Sequence, residues 1–543
     1  MRPWLSMCLA VLTATGPAML PGPAYAAPVG RPSTRIQHVV VIFQENVSFD
    51  HYFGTYPVAL NPKGEPPFHA LPNTPTVNGL SRALLTINPN LNPANGAGAA
   101  NPFRFDRSQQ LTQDQDHDYA AEQMAFDHGL MDLFPANTGT AGPPPGPPTP
   151  AVDTTGQVMG YYDGNSVTAL WNYAQFFSMS DNSYDTNFGP STPGAINLIS
   201  GQTNGVVQSV NAGGSVIDAG DGTATLISDA DPVGDVCSSN SQVQFGGKNI
   251  GDLLNAAGVT WGFFEGGFNL SLVNANSTTG CRRSTTSAII GVKKADYIPH
   301  HQPFQYYAST ANPTHARPTS VATIGHQGDA ANHQYDLEDF YAAVQAGNFP
   351  SVSFLKASAF QDGHAGYSDP LDEQAFIVHV INFLENRPEW PSTAVVILYD
   401  DSDGWYDHQM SPIVNHSQTA ADMLTGTGVC GNASPALAGY TGNPHPQGRC
   451  GYGPRQPFLV ISPWAKHNFV DHAVTDQTSV LRFIEDNWLG GERITGSFDA
   501  LANSVTPMFD FEQNPGNGRL ILNEKTGEVV SAGHSFGDHG RRF

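Results

Sequence analysis

Two apolar runs in this chain stop on acids. Val39 to Phe43 (VVVIF) breaks into Gln44-Glu45-Asn46, and Ala394 to Tyr399 (AVVILY) breaks into Asp400-Asp401-Ser402-Asp403-Gly404. An unpaired carboxylate at the edge of a core is costly, so buried runs ordinarily end on turn residues. If the two runs are neighbouring strands, Glu45, Asn46, Asp400 and Asp401 meet at one point. Acids packed together repel unless a cation holds them. Carboxylate oxygens with one amide and no thiolate suit a hard divalent ion. The plain alternative is that Asp400 to Asp403 form an acidic turn and Glu45 caps a helix.

A hydroxyl and several histidines extend the set. Phe188-Gly189-Pro190-Ser191-Thr192-Pro193 leads into an apolar helical run, and Ser or Thr followed by Pro marks a helix start. As structure alone, Ser191 is the N-cap. As chemistry, the same place puts a hydroxyl where backbone N–H groups stabilise an anion, and metal contact would make it a nucleophile. His117 lies in DQDHDY, His300 and His301 in PHHQPFQYY, His364 in DGHAGYSD and His408 in WYDHQ. Singly, each reads as a surface or hydrogen-bonded structural histidine. Several at one sheet edge suit general acid chemistry or the binding of phosphate oxygens near neutral or mildly acid pH.

The elements that must position these groups are legible as buried strands alternating with amphipathic helices. The strand runs are 39–43, 259–264, 351–355, 394–399 and 458–462; helical spacing covers 335–347, 372–386 and 478–489, the last with Asp476 as N-cap. This pattern predicts an α/β fold, a three-layer sandwich around a mostly parallel central sheet. In such sheets ligands gather past the carboxyl ends of the strands, where both acidic junctions fall. Two stretches interrupt the pattern. Residues 136–158 contain PPPGPPTP and read as a surface loop or linker. Residues 200–250 are rich in Gly, Asn, Ser and Asp, and read as a loop excursion or a small β insertion. The strands on either side read as one sheet, so residues 27–543 are expected to be a single catalytic domain with long insertions.

Composition narrows the setting. Residues 1–26 read as a signal peptide: Arg2, an apolar stretch broken by Gly16-Pro17, and an Ala24-Tyr25-Ala26 cleavage site. The mature chain is therefore expected to be exported, periplasmic or secreted. No later stretch has the roughly 18 apolar residues of a spanning helix, so no stable membrane insertion is expected. Four of the five cysteines lie beyond residue 26. An even number in an oxidising compartment favours disulfides, and nearest-neighbour pairing gives Cys237–Cys281 and Cys430–Cys450. Net charge is −24 with only 13% charged residues, a surface that repels nucleic acid and anionic lipid at long range.

Together, VVVIFQENVSFDHYFG, SDNSYDTNFGPSTPG, HHQPFQYY, ILYDDSDGWYDH and GPRQPFLVISPWAKHNFVDH resemble the secreted bacterial phospholipase C and acid phosphatase family of phosphoesterases, a branch similar to the alkaline phosphatase superfamily. The resemblance implies a divalent metal ion held by Glu45, Asn46, Ser191, Asp400 and Asp401, with Ser191 as nucleophile and a phosphoserine intermediate. It implies that His117, His301 and His364 hold phosphate oxygens or protonate the leaving group, with His301 or His364 favoured as proton donor. Phospholipase members carry Asp-Glu-His-Gly-Gly where this chain has Asp400-Asp401-Ser402-Asp403-Gly404, and longer ones have further C-terminal β domains. These departures, with Ser rather than Thr at 191, lean towards a phosphomonoester substrate and the acid phosphatase branch. The alternative is a phospholipase C acting on phospholipid diesters, with the aromatic stretches WGFFEGGF, PFQYY and GWY either lining a choline pocket or packed as core. A third reading is a secreted binding protein in which the ion is purely structural. Ser191 discriminates, because a structural ion needs no hydroxyl beside it.

Overall fold

A computed structural model describes residues 30–142, 151–239, 241–432, 437–513, 515 and 518–533. The expected signal peptide lies outside these residues, as does the proline-rich centre of the 136–158 stretch, residues 143–150. Nine strands form the central sheet: β1 (His38–Gln44), β2 (Ser178–Tyr184), β3 (Trp261–Glu265), β4 (Gln334–Tyr335), β5 (Val352–Lys356), β6 (Thr393–Tyr399), β7 (Arg455–Ile461), β8 (Phe469–Asp471) and β9 (Thr475–Asp476). Their order is β4-β3-β5-β1-β6-β7-β2-β8, with β9 also beside β2. Only β7 runs against its neighbours, so the expected mostly parallel sheet is found.

The centre of the sheet is apolar on both faces, as parallel strands require. Val39 through Phe43 are fully buried. Helices Ser191–Ser200, Ile250–Ala257 and Thr478–Trp488 pack on one another, while Thr168–Phe176 packs on Pro370–Glu385. The sheet is the middle of three layers. Both disulfides pair as nearest neighbours, Cys237 with Cys281 and Cys430 with Cys450.

Two sequence expectations change, and one strand carries no apolar signal in the sequence. Strand β2 (SMSDNSY) has no apolar alternation, yet almost all of it is buried; its first hydroxyl finds backbone acceptors, Ser178 Oγ donating to Lys466 O and Met508 O at 2.8 Å. Asp476 ends β9, and Gln477 holds the cap position of the Thr478 helix, although the Asp476 carboxylate still accepts the Thr478 N–H at 3.2 Å. The 136–158 stretch is no simple linker: Thr155–Met159 is a 3₁₀ turn with Gln157, Val158 and Met159 buried, because Val158 O receives the Tyr406 N–H at 3.1 Å. The 200–250 stretch is a β insertion, a five-stranded sheet of its own.

Candidate active site

The register Gln44↔Tyr399 between β1 and β6 puts Glu45 and Asp400 side by side one residue beyond the sheet. The backbone then turns sharply. Asn46 has φ 63° and Asp403 φ 53°, a left-handed conformation that Asn and Asp tolerate best and that clusters at functional sites. Hydrogen bonds lock the two loops together. Asn46 N–H donates to Asp400 Oδ1 at 2.9 Å and Asn46 Nδ2 to Asp403 Oδ1 at 2.7 Å. Asp403 N–H donates to Asp401 Oδ1 at 2.6 Å. Asn46 Oδ1, Asp400 Oδ2 and Asp403 Oδ2 are buried with no hydrogen-bond partner. Orphaned buried oxygens from two acids and an amide fit a hard divalent cation. Burial, reinforced by the charge of Asp400, pushes the Asp401 carboxyl well above its ordinary range.

Ser191 enters from the other side. Pro190 holds the cap position and the Ser191 side chain caps nothing, so the N-cap expectation is corrected. Its Oγ instead lies 3.2 Å from Glu45 Oε2 and 3.1 Å from Asp401 Oδ2. Two glycines make this approach possible. Gly189, at φ 122°, turns the chain into the helix. A Cβ on Gly194 would lie 2.0 Å from Asp400 O, so only glycine lets this helix press on the acidic loop.

The structure brings three of the singled-out histidines to this point. His117 Nδ1 lies 2.7 Å from Gln115 O, 3.6 Å from Asp403 Oδ1 and 3.7 Å from Asp114 Oδ1. Burial alone would lower its pKa, but Asp401, Asp403 and Asp114 outweigh burial and hold it well above the ordinary value. The His364 ring centroid is 6.3 Å from that of His117 and 4.2 Å from that of Tyr367. Burial takes His364 down to about 4. His301 Nδ1 is 3.3 Å from Glu45 Oε1, and burial, then the charge of His300, lowers its pKa well below the ordinary value. His300 turns to the insertion, 3.6 Å from Asp231 Oδ1. His408 is elsewhere, 2.6 Å from Asp50 Oδ2.

A family model described as the Phosphoesterase family matches residues 36–489. The chain belongs to the phosphoesterase family. Among curated relatives, it is 26% identical to the non-hemolytic phospholipase C of Pseudomonas aeruginosa, over 89% of this chain and 58% of that protein. It is 24% identical to phospholipase C A of Mycobacterium tuberculosis, over 90% of this chain and 80% of that protein. The chain thus spans less than two thirds of the length of the Pseudomonas relative. Among solved structures it is similar to a protein in the alkaline phosphatase superfamily from Vibrio parahaemolyticus, at 11% identity, 74% coverage of each chain and a TM-score of 0.26.

Beside the expected residues, this phosphoesterase-family site holds groups that sequence reasoning missed. Lys356, fully buried at the end of β5, contacts Glu45 Oε1 with its ammonium; a lysine closing the run SVSFL was a signal of the same kind as the acids. Asp362 is pushed up to about 7 by burial, with Lys356 opposing. Glu122 accepts from Gly189 N–H at 3.0 Å and from Ser402 Oγ at 2.8 Å, tying the Ser191 turn to the acidic loop; burial raises it to about 8. Nothing in YAAEQMAF marks it. The aromatic stretches are core: Trp261, Phe263, Phe264, Phe304, Tyr306 and Trp405 are all buried.

Proposed function

We propose that the chain is a metal-dependent phosphoric ester hydrolase of the phospholipase C type, cleaving phospholipid diesters on the glycerol side. Its family membership supports ester hydrolysis at phosphorus, and the printed names of its relatives favour the diester over the monoester to which the acidic loop pointed. One observation carries the chemistry: an uncapped serine hydroxyl stands 3.1 Å from one buried carboxylate and 3.2 Å from another, Asp401 and Glu45, beside oxygens with no partner of their own.

Glu45, Asn46, Ser191, Asp400 and Asp401 would hold the divalent ion. Its charge would polarise a phosphate oxygen and favour the serine alkoxide. Ser191 Oγ gives its proton to the Asp401 carboxylate it faces at 3.1 Å and attacks phosphorus in line, forming the Oγ–P bond as the P–O bond to the departing alcohol breaks. The histidines, with the ion, would stabilise the charge on the phosphoryl oxygens. His117 and His364 anchor Nδ1 on backbone carbonyls, Gln115 O and Ala365 O, which leaves Nε2 for the substrate. His117 is the favoured proton donor to the alcohol, because Asp403 and Asp114 stand 3.6 and 3.7 Å from Nδ1, an arrangement that stabilises an imidazolium. His301 and His364, favoured from sequence, become hydrogen-bonding partners of the phosphoryl group. Water then hydrolyses the phosphoserine, with the proton transfers reversed.

A phosphomonoesterase is the second reading, favoured by the burial of the aromatic stretches, which leaves them no open cage for choline. Release of p-nitrophenol from p-nitrophenylphosphorylcholine and from p-nitrophenyl phosphate, each with and without chelator over about pH 5 to 7.5, separates the two. Chelator-sensitive preference for the diester is expected. Activity on the monoester alone establishes the second reading, and chelator-resistant turnover removes the metal from the mechanism.

A further inference from the structure

We infer that the five-stranded insertion is a working part of the site: its Asp229 caps the helix that carries Ser191, leaving the Ser191 hydroxyl free to face the carboxylates beyond β1 and β6. This rests on the reading of Ser191 as nucleophile. A helix start exposes four N–H groups without intrahelical partners, and a side-chain acceptor ordinarily takes one of them. Here Pro190 occupies the cap position and offers no side-chain acceptor. Pro193 has no N–H to satisfy, and Gly194 N–H reaches back to Pro190 O at 3.5 Å. The Thr192 N–H donates to Asp229 Oδ1 at 2.9 Å, and Thr192 Oγ1 donates to the same oxygen at 2.9 Å. A residue far along the chain thus does what the serine was expected to do.

Asp229 is itself held by the insertion. Its carbonyl accepts from Ser215 Oγ at 2.7 Å and from Ser241 Oγ at 3.3 Å, the residues that lead into two strands of the small sheet, Val216–Asp218 and Gln242–Phe245. The next residues continue the contact with the site: Tyr306 OH donates to Ala230 O at 2.5 Å, and Asp231 Oδ1 lies 3.6 Å from His300 Nδ1. The insertion therefore grips the helix start on one side and the His300-His301 segment on the other. Although burial disfavours the charge on Asp229, His300 and the Thr192 N–H outweigh it and keep the carboxylate ionised, which suits the positive end of a helix. Asp229 is a positioning residue: it touches Thr192, not the reacting atoms.

Asp229→Ala, Asp229→Asn, Asp229→Glu and Ser191→Ala, each in the full chain, test this. Asn caps as well as Asp, so Asp229→Asn should keep kcat within about threefold. Asp229→Ala should lose about 100-fold in kcat with KM little changed, the expected result of a nucleophile displaced by a fraction of an ångström. Asp229→Glu keeps the charge but displaces the oxygen by a methylene, and should fall with Ala. Full turnover in a folded Asp229→Ala enzyme overturns the inference. If the alanine variant does not fold, the Asn and Glu variants decide it, and Glu outperforming Asn overturns capping in favour of charge alone. Ser191→Ala reports separately on the nucleophile: turnover retained there removes the reading beneath this inference, whereas turnover lost there but kept in Asp229→Ala removes only the inference.

Discussion

Two clusters of buried acids lie within a few residues of each other, and they are closed in opposite ways. In one, Asp50 and Asp407 meet Arg455. The Arg455 guanidinium donates to Asp407 through Nε at 3.1 Å and to Asp50 through Nη2 at 3.1 Å, and its Nη1 serves Asn78 O and Asp181 O at 2.7 and 2.9 Å. His408 adds a second cation on Asp50. In the other, Glu45, Asp400, Asp401 and Asp403 meet one buried lysine, Lys356, which reaches only Glu45 by direct contact, and His117, 3.6 Å from Asp403 Oδ1, yet orphaned oxygens remain. Both clusters are acidic, buried and adjacent to the same sheet. Acidity and burial alone cannot tell them apart. A site is marked by oxygens that the chain's own cations leave unsatisfied, whereas a strut is marked by a guanidinium whose donors are all used.

Substitutions in the two clusters should therefore separate catalysis from stability. Asp401→Ala is expected to lower turnover by about a thousandfold or more and to abolish bound metal, measured as ions per chain, with the thermal transition still cooperative. A variant that bound metal stoichiometrically would break the distinction. Arg455→Met should do the reverse. It strands two buried carboxylates, so unfolding free energy should fall by about 3–5 kcal/mol, while the folded fraction keeps its metal content and its KM. Gly194→Ala tests the junction: its Cβ collides with Asp400 O at 2.0 Å, and relief of that overlap should cost about 1–3 kcal/mol and separate Ser191 from the acidic loop. Loss of turnover greater than the loss of stability explains would confirm that the close approach serves the site. Wild-type turnover would show that the helix has room to move.

The acidic half of the site was legible because it breaks a rule: apolar strands that end on carboxylates contradict the expectation for a core edge; that the two strands are parallel neighbours was only a condition in the sequence, and the β1–β6 register meets it. Ser191 was legible as a position but not as a role. Local sequence favoured capping, and the acceptor that relieves it, Asp229, comes from a stretch whose sequence announces only Gly, Asn and Ser. Glu122 and strand β2 were silent for a related reason. Their polar side chains are satisfied by tertiary partners, and no periodicity encodes a partner that lies far off in the chain. Lys356 could have been read, since a lysine ending an apolar strand is as anomalous as a glutamate there.

The smallest expected effect sharpens the comparison through pH. Burial works against a charge on His408, but the Asp50 carboxylate, at 2.6 Å, outweighs it and raises the folded-state pKa above the ordinary value. A raised folded-state pKa means that the contribution to stability is fully present below the unfolded pKa of about 6.5 and is lost as pH rises through the folded value. The loss should be on the order of 1 kcal/mol, since Arg455 still neutralises Asp50 when His408 is neutral. Urea midpoints of the wild type and His408→Gln, measured from about pH 6 to 9 at constant metal, isolate it. Subtracting one from the other cancels whatever the metal-side carboxylates contribute. Convergence of the two curves as pH rises is the expected outcome. A constant gap would mean that His408 holds Asp50 as a neutral donor, and that Arg455 alone closes the strut.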